Sequence, residues 1–317
     1  MPKRDREITL RFLAAPTDAG YSGNVSGGRV LEWIDKAGYA CAVGWSGSYS
    51  VTAYVGNVRF SRPVMVGELV EVTARLVHTG RSSMHILVVV RSGDLAAGIF
   101  TDATESLIVF VAVSSAGRPI AVTEWVPTDD EDKRRQHIAR RRIALRSDIE
   151  TAMVAQRYTD EGTAPKTMLR FLAAPTDVNW GGKVHGGIVM RWIDEAAHVL
   201  ATSWTGSHSN VAVYAGGVRF YRPLLIGDLV EVEARLVHTG STSMHISVHV
   251  RSGDASAGVL ELTTHCLIVF VALDSEKNAI AAPVWTPVSA EDMALEAHAL
   301  HLIELRRVMK TRERRGA

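Results

Sequence analysis

The longest regular pattern of apolar and polar residues in this chain occurs twice and has the period of an α-helix. From Val30 to Val43 the polar side chains fall at positions 32, 35, 36 and 39, and from Ile188 to Ala201 they fall at 191, 194, 195 and 198. Spacings of three, four and seven residues place these side chains along one stripe of a helix. Each segment is therefore predicted to be a long, largely buried helix.

After each predicted helix the apolar pattern changes to a period of two. In the first half of the chain, Val70 to Leu76 alternates apolar with polar residues, and a second alternating run extends from Met84 to Arg91. Such alternation is typical of strands with one buried face. Glycines at positions 80 and 93 lie at hairpin distances, which favours an antiparallel sheet. The pattern predicts an α+β fold in which one long helix packs against one antiparallel sheet.

The two halves of the chain carry the same motifs in the same order. Arg11 to Asp18 recurs letter for letter as Arg170 to Asp177, and Arg91 to Asp94 recurs as Arg251 to Asp254. The period of 159 to 160 residues is far longer than that of solenoid repeats. The chain is therefore a duplicated domain.

A charged segment follows each repeated unit. The first begins with acidic residues at 129–132 and becomes rich in arginine at 134–142, the order that the helix dipole favours. We interpret these arginines as a solvated helix face rather than a phosphate site. The predicted organisation is a first domain at 1–128, a linker helix at 129–165, a second domain at 166–288 and a C-terminal helix at 289–317.

Composition excludes several classes of protein. Lys and Arg number 35 against 34 Asp and Glu, so no strong basic field is available to bind nucleic acid. Apolar runs such as Leu107 to Val113 are far shorter than the roughly 20 residues that span a bilayer. The charged first ten residues do not resemble an export signal, and Cys41 and Cys266 are too few for a disulfide framework. We therefore expect a cytoplasmic protein without membrane insertion.

The candidate chemistry lies where each long helix begins. The pairs Gly27-Gly28 and Gly186-Gly187 leave backbone N–H groups uncovered at a helix start, where they can bind an anion or an oxyanion. The alternative is that these glycines only allow close packing. Asp35 and Asp194 lie further along the polar stripes as possible general bases, or as solvated carboxylates. Zinc-site spacing, a nucleophile elbow, a P-loop and a dinucleotide fingerprint are all absent from the sequence, so no metal or cofactor is expected.

Several motifs together resemble a known family. The first copy reads Gly-Asn-Val-Ser-Gly-Gly at 23–28, Trp-Ile-Asp at 33–35, Val-Arg-Phe-Ser-Arg-Pro at 58–63 and Thr-Gly-Arg-Ser-Ser-Met at 79–84. This combination is similar to the acyl-CoA thioesterases of the hotdog fold, specifically to the cytosolic acyl-CoA hydrolases with two tandem hotdog domains. The resemblance covers Thr9 to Pro127 and Met168 to Pro287 and implies hydrolysis of fatty acyl-CoA to a free fatty acid and CoA.

The resemblance also implies where catalysis takes place. In that family the catalytic Asn lies in the loop before the helix of one domain, and the catalytic Asp lies on the helix of the other domain. The matching residues are Asn24 and Asp194, with backbone N–H groups near Gly28 or Gly187 stabilising the oxyanion. The second site would join the loop of the second copy to the helix of the first copy. It places Lys183 opposite Asp35, because lysine occupies the Asn position in that loop. We therefore expect two unequal sites, the first dominant.

For substrate binding, the resemblance points to the strand before position 60 and the turn after Gly80. The corresponding candidates are Val58, Phe60, Arg62, Arg81, Ser82, Ser83, Arg222 and Ser243. Acyl-CoA and CoA are the expected partners, in a homotrimer of double hotdogs. Two alternatives remain open: an acyl-CoA sensor that binds without turnover, and a hotdog enoyl-CoA hydratase. The hydratase is disfavoured because the helix-entry loop at Asp18 lacks a histidine.

Overall fold

The computed structural model describes residues 5–156, 158–159 and 161–314, apart from the side chains of 144–148 and 308–314. The first repeated unit and the helix after it comprise β1 (Glu7–Leu13), α1 (Gly27–Ser46), β2 (Ser50–Val55), β3 (Val58–Arg59), β4 (Leu69–Thr79), β5 (Ser83–Asp94), β6 (Ile99–Ala112) and α2 (Asp130–Ala155). The second comprises β7 (Lys166–Leu172), α3 (Gly186–Thr205), β8 (Asn210–Phe220), β9 (Leu229–Thr239), β10 (Ser243–Gly253), β11 (Glu261–Ala272) and α4 (Ala290–Arg314). Two tandem hotdog domains result, and the predicted α+β fold is confirmed.

Each central helix begins and ends with a local signal. Ser26 caps α1 by accepting a hydrogen bond from the Arg29 N–H, whereas at the start of α3 the Gly187 N–H is directed across the domain contact to the Asp35 carboxylate. The helices end at Gly47 and Gly206, whose φ values of 65° and 69° lie in the left-handed region. The helices therefore extend a few residues beyond the apolar segments that predicted them.

The sheets of the two domains join into one antiparallel sheet. Its strand order is β1-β4-β5-β6-β2-β8-β11-β10-β9-β7, and β3 also pairs with β8. The domains meet where Val55 of β2 lies opposite Val218 of β8. Along β4 the apolar residues of the alternating run are fully buried against α1, as the period of two predicted.

The helices α1 and α3 lie side by side inside this sheet, and glycines set their distance. A Cβ atom added to Gly28 would lie 2.9 Å from the Arg191 Cα, and one added to Gly187 would lie 2.8 Å from the Glu32 Cα. Both contacts are shorter than side chains tolerate. Glu32 and Arg191 occupy equivalent positions of the two copies and form an ion pair at 3.5 Å across the contact.

The helices α2 and α4 cover part of the outer face of the sheet. A small apolar cluster joins them to β9 and β11 and includes Ile149, Met153, Val237, Leu267, Leu295 and Leu302. Each charged segment therefore buries a few apolar side chains against the sheet and is not solvated on all sides. None of the helices in the described part of the chain is long and apolar enough to cross a membrane.

Candidate active site

A cavity of about 700 Å³ lies between the two domains, at the start of α1. The first domain contributes the loop from Thr17 to Gly27 and residues around Phe60. The second contributes one face of α3, the start of β8 and the loop after β11. Because both domains form its walls, side chains that are distant in sequence meet here.

Asn24 lies in the loop before α1 and lines this cavity. Its carbonyl accepts a 2.7 Å hydrogen bond from the Gly20 N–H, and its backbone pairs with Met65 as an isolated bridge. The residue is only 6% exposed. Within the described part of the chain its carboxamide has no hydrogen-bond partner, so the amide is available to a ligand in the cavity.

Asp194 lines the same cavity from α3 of the other domain. It is 7% exposed, and among the described residues its Oδ1 has no hydrogen-bond partner. Burial raises the pKa of this carboxyl to about 6, against the opposing effect of the Gly28 N–H. Asp194 is therefore a buried carboxylate with a free oxygen and a near-neutral pKa, as a general base requires.

The unpartnered oxygen has a local cause that the duplication makes visible. In the other half of the structure, the Thr52 hydroxyl donates a 2.7 Å hydrogen bond to the Asp35 Oδ1. Ala212 occupies the equivalent position beside Asp194, and its Cβ lies against Gly27. A single missing hydroxyl therefore leaves the Asp194 oxygen without a donor.

Asp35 is held by three donors. Besides Thr52, the Gly187 N–H donates to its Oδ2 at 2.8 Å, and His185 Nδ1 lies 3.0 Å from the same oxygen. Burial alone would lower the pKa of His185, but the Asp35 carboxylate raises it above 6.5. Lys183, expected opposite Asp35, forms no ion pair with it among the described residues, and His185 takes that place. The Gly187 N–H is also engaged and does not face a free ligand.

Aromatic residues surround the Asp35 site. Trp180 stacks on Tyr39 with ring centroids 4.5 Å apart, and the Tyr49 hydroxyl donates to Asn179 at 3.1 Å. A Cβ on Gly181 would lie 2.1 Å from the Tyr49 ring. The loop before α3 is thus packed tightly onto domain one.

The candidate substrate-binding residues divide into two groups. Phe60 and Arg62 line the cavity, but the Arg62 guanidinium is held by Glu68 at 2.7 and 2.9 Å and by Ser92. Val58 is buried in the β3 pairing with β8. The remaining candidates do not line this cavity: Arg81, Ser82, Ser83, Arg222 and Ser243. Of these, Arg222 pairs with Glu261, and Ser243 lies near His245. Their role in substrate binding stays a prediction.

Sequence reasoning missed several residues around this cavity. Gly27 lines it, and within the described residues its N–H has no hydrogen-bond partner. Tyr21 stacks on His198 at 4.9 Å along another wall. Alignment of the two copies shows that Ala212 replaces Thr52. The effect of this replacement on the hydrogen bonding of Asp194 becomes clear only from the structure, in which strand β8 runs beside Asp194. Asp18 is not free, because it accepts hydrogen bonds from the Ala15 N–H and Arg29.

A family model described as the thioesterase superfamily matches this chain twice, at residues 22–99 and 181–258. Acyl-coenzyme A thioesterase 11 of Mus musculus is 25% identical over 300 residues, covering 90% of this chain and 50% of the mouse protein. Cytosolic acyl coenzyme A thioester hydrolase of Homo sapiens is 23% identical over 302 residues, covering 90% of this chain and 79% of the human protein. The chain thus spans about half the length of the first of these relatives.

A solved structure supports the fold over most of the chain. It comes from Lactobacillus plantarum, is provisionally assigned as an oleoyl thioesterase and superimposes with a TM-score of 0.60 at 10% identity. The superposition covers 85% of this chain and 97% of that one. The similarity therefore includes both domains and their arrangement in tandem.

Proposed function

The chain belongs to the thioesterase superfamily, and on that premise we propose that it hydrolyses fatty acyl-CoA to a free fatty acid and CoA. One observation carries the proposal: Asn24 of the first domain and Asp194 of the second line one cavity, and among the described residues neither the Asn24 amide nor the Asp194 Oδ1 has a hydrogen-bond partner. The matched relatives are named as acyl-CoA thioesterases, which supports this substrate class.

In this proposal the thioester carbonyl lies at the start of α1. The Gly27 N–H and the Asn24 amide donate to the oxygen as negative charge develops on it, and the helix dipole adds to that stabilisation. Gly28, which the sequence suggested for this role, instead directs its N–H toward Asp194. The backbone donor is therefore assigned to Gly27, one residue earlier.

Asp194 then acts on water. Its carboxylate takes a proton from a water molecule while the water oxygen forms a bond to the carbonyl carbon. When the tetrahedral intermediate collapses, the carbon–sulfur bond breaks and CoA leaves as a thiolate, which needs no strong acid. A pKa near 6 keeps most of Asp194 ionised at neutral pH, so the base is ready before substrate binds.

The Asp35 site is proposed to contribute little. Three donors already engage its carboxylate, and Lys183 replaces the amide that Asn24 supplies in the other site. A carboxylate engaged in this way is poorly placed to accept a proton from water. The double hotdog would therefore hydrolyse substrate chiefly at one of its two related sites.

We further propose a homotrimer of double hotdogs located in the cytoplasm. Apolar side chains are exposed at equivalent positions of both domains, among them Leu13 with Leu172 and Met65 with Leu225. In this proposal neighbouring copies of the chain would cover these side chains. Light scattering that gives a monomer at micromolar concentration would refute the assembly.

The decisive experiment measures thiol release from acyl-CoAs of increasing chain length, from acetyl to palmitoyl. Asp194→Ala and Asn24→Ala are each expected to remove most activity, whereas Asp35→Ala should retain much of it. Equal losses at Asp35 and Asp194 would contradict the unequal sites. Saturable acyl-CoA binding without any turnover by the wild type would instead favour a sensor.

A further inference from the structure

A second cavity of about 330 Å³ lies on the outer side of the sheet, lined by residues of domain one, by α2 and by Arg306 of α4. Ser61 and Thr104 line both this cavity and the one that holds Asn24 and Asp194. The two spaces therefore lie on either side of a wall that contains these two residues.

Arginine side chains line the second cavity without sufficient carboxylate partners. Its two acidic residues are already engaged, Glu105 with Arg142 at 2.9 Å and Asp102 with Arg91 at 3.3 Å. The remaining arginines are Arg59 of β3 and Arg306 of α4. Within the described part of the chain neither of them forms an ion pair with a carboxylate.

Arg306 is the more constrained of the two. Its Nε donates to the Leu302 carbonyl at 3.0 Å and its guanidinium stacks on the Tyr214 ring at 4.5 Å, but its Nη2 is buried without a partner. Burial lowers the pKa of this group, and the nearby charge of Arg59 lowers it further. Two cations held together without a counter-charge are unfavourable unless an anion binds between them.

A further buried polar group without a hydrogen-bond partner among the described residues lies in the wall between the two cavities. Thr104 is 3% exposed, and among the described residues its hydroxyl has no hydrogen-bond partner. Buried hydroxyl groups are nearly always satisfied in proteins. This hydroxyl lies in the wall that the two cavities share, with Asp194 lining the first cavity and the two arginines lining the second.

We propose that the second cavity binds the phosphate groups of the CoA substrate, with Arg59 and Arg306 as the recognising cations. Guanidinium groups bind phosphate oxygens through paired, charge-assisted hydrogen bonds. This inference rests on the proposed hydrolysis of acyl-CoA. It assigns phosphate binding to residues of β3 and α4, whereas Arg62 is tied to Glu68 and Arg81 lies outside both cavities.

The test compares two substrates that differ only in the phosphorylated half. Butyryl-CoA carries the phosphates, and S-butyryl-pantetheine lacks them. Arg59→Met and Arg306→Met are each expected to raise the KM for butyryl-CoA about tenfold, with kcat unchanged and with no change for S-butyryl-pantetheine. Arg306→Lys should recover part of the loss because it retains the charge.

The duplication supplies a matched control. Arg219 is the equivalent of Arg59 in the second domain, but it pairs with Glu150 at 3.0 Å and lies outside the cavity. Arg219→Met should therefore leave the KM for butyryl-CoA unchanged. Thermal melting of every variant would separate a folding defect from a binding defect.

Two results would overturn the inference: a wild-type KM for butyryl-CoA in both Met variants, or an equal rise for both substrates. Should the wild type hydrolyse neither thioester, the hydrolase proposal fails, and calorimetry with CoA decides the phosphate site alone. Weaker CoA binding by Arg59→Met and Arg306→Met, but not by Arg219→Met, would still support it. Equal binding by all three would refute it.

Discussion

Replacing Asp194 with asparagine should stabilise the protein while removing its activity. The side chain is buried, its Oδ1 has no donor among the described residues, and burial raises the pKa of the carboxyl from 3.8 to about 6. The difference between those values corresponds to about 3 kcal/mol, which ionisation of Asp194 costs the folded state at neutral pH. An amide of the same shape avoids that cost.

The sign of this effect fixes its pH dependence. A carboxyl whose folded pKa is raised binds more protons in the folded than in the unfolded protein between pH 3.8 and about 6. The wild type therefore loses stability relative to Asp194→Asn across that interval as pH rises. Below pH 4 the two proteins should be similar, and above pH 6 the variant should be more stable by about 3 kcal/mol.

Urea unfolding of both proteins at several pH values between 4 and 8 measures this difference. Asp35→Asn is the matched control, because that carboxylate receives three hydrogen bonds, and its loss should destabilise by about 1–3 kcal/mol. A destabilised Asp194→Asn at pH 7, or a stability gain that does not change with pH, would refute the reasoning. Thiol release from acyl-CoA should fall in the same variant, because the amide cannot accept the proton.

Three further perturbations test other parts of the structure. Gly28→Ala would place a Cβ 2.9 Å from Arg191, so unfolding measurements should show a loss of about 1–3 kcal/mol. Ala212→Thr supplies the hydroxyl missing beside Asp194 and should move the acidic limb of the pH–activity profile below 6; an unchanged limb would contradict that contact. His185→Gln removes an imidazole whose pKa is raised by Asp35. The free energy of unfolding of the wild type should therefore exceed that of the variant by its full amount below pH 6.5, and this difference should shrink as the pH rises above 6.5. A constant difference across this pH range would contradict the pairing.

The periodicities and the duplication predicted most of the fold from the sequence. Local patterns suffice for α1 and β4, because a helix stripe and a strand alternation are properties of consecutive residues. The junction of β2 with β8 was not predictable in this way. Val55 and Val218 carry no signal beyond that of any buried strand residue, and their pairing depends on how two complete domains fit together.

Some residues of the candidate site were predictable from the sequence, and others depended on the packing of the two domains. Asn24 and Asp194 were proposed through the resemblance and both line one cavity, and their catalytic role stays a prediction. The partner of Asp35 was misjudged, because alignment of the copies puts Lys183 in the Asn position but does not show that His185 points into the same space. Arg306 was not singled out from the sequence, since only the packing of α4 onto the sheet brings it near Arg59.

The ion pair between Glu32 and Arg191 has a consequence for which domains pair. These equivalent positions face each other where α1 crosses α3, so a dimer of two first domains would oppose two glutamates, and a dimer of two second domains would oppose two arginines. Each homodimer would place like charges opposite each other, whereas the fused chain brings opposite charges together. The ion pair therefore favours the pairing of a first domain with a second domain over the pairing of either domain with its own copy.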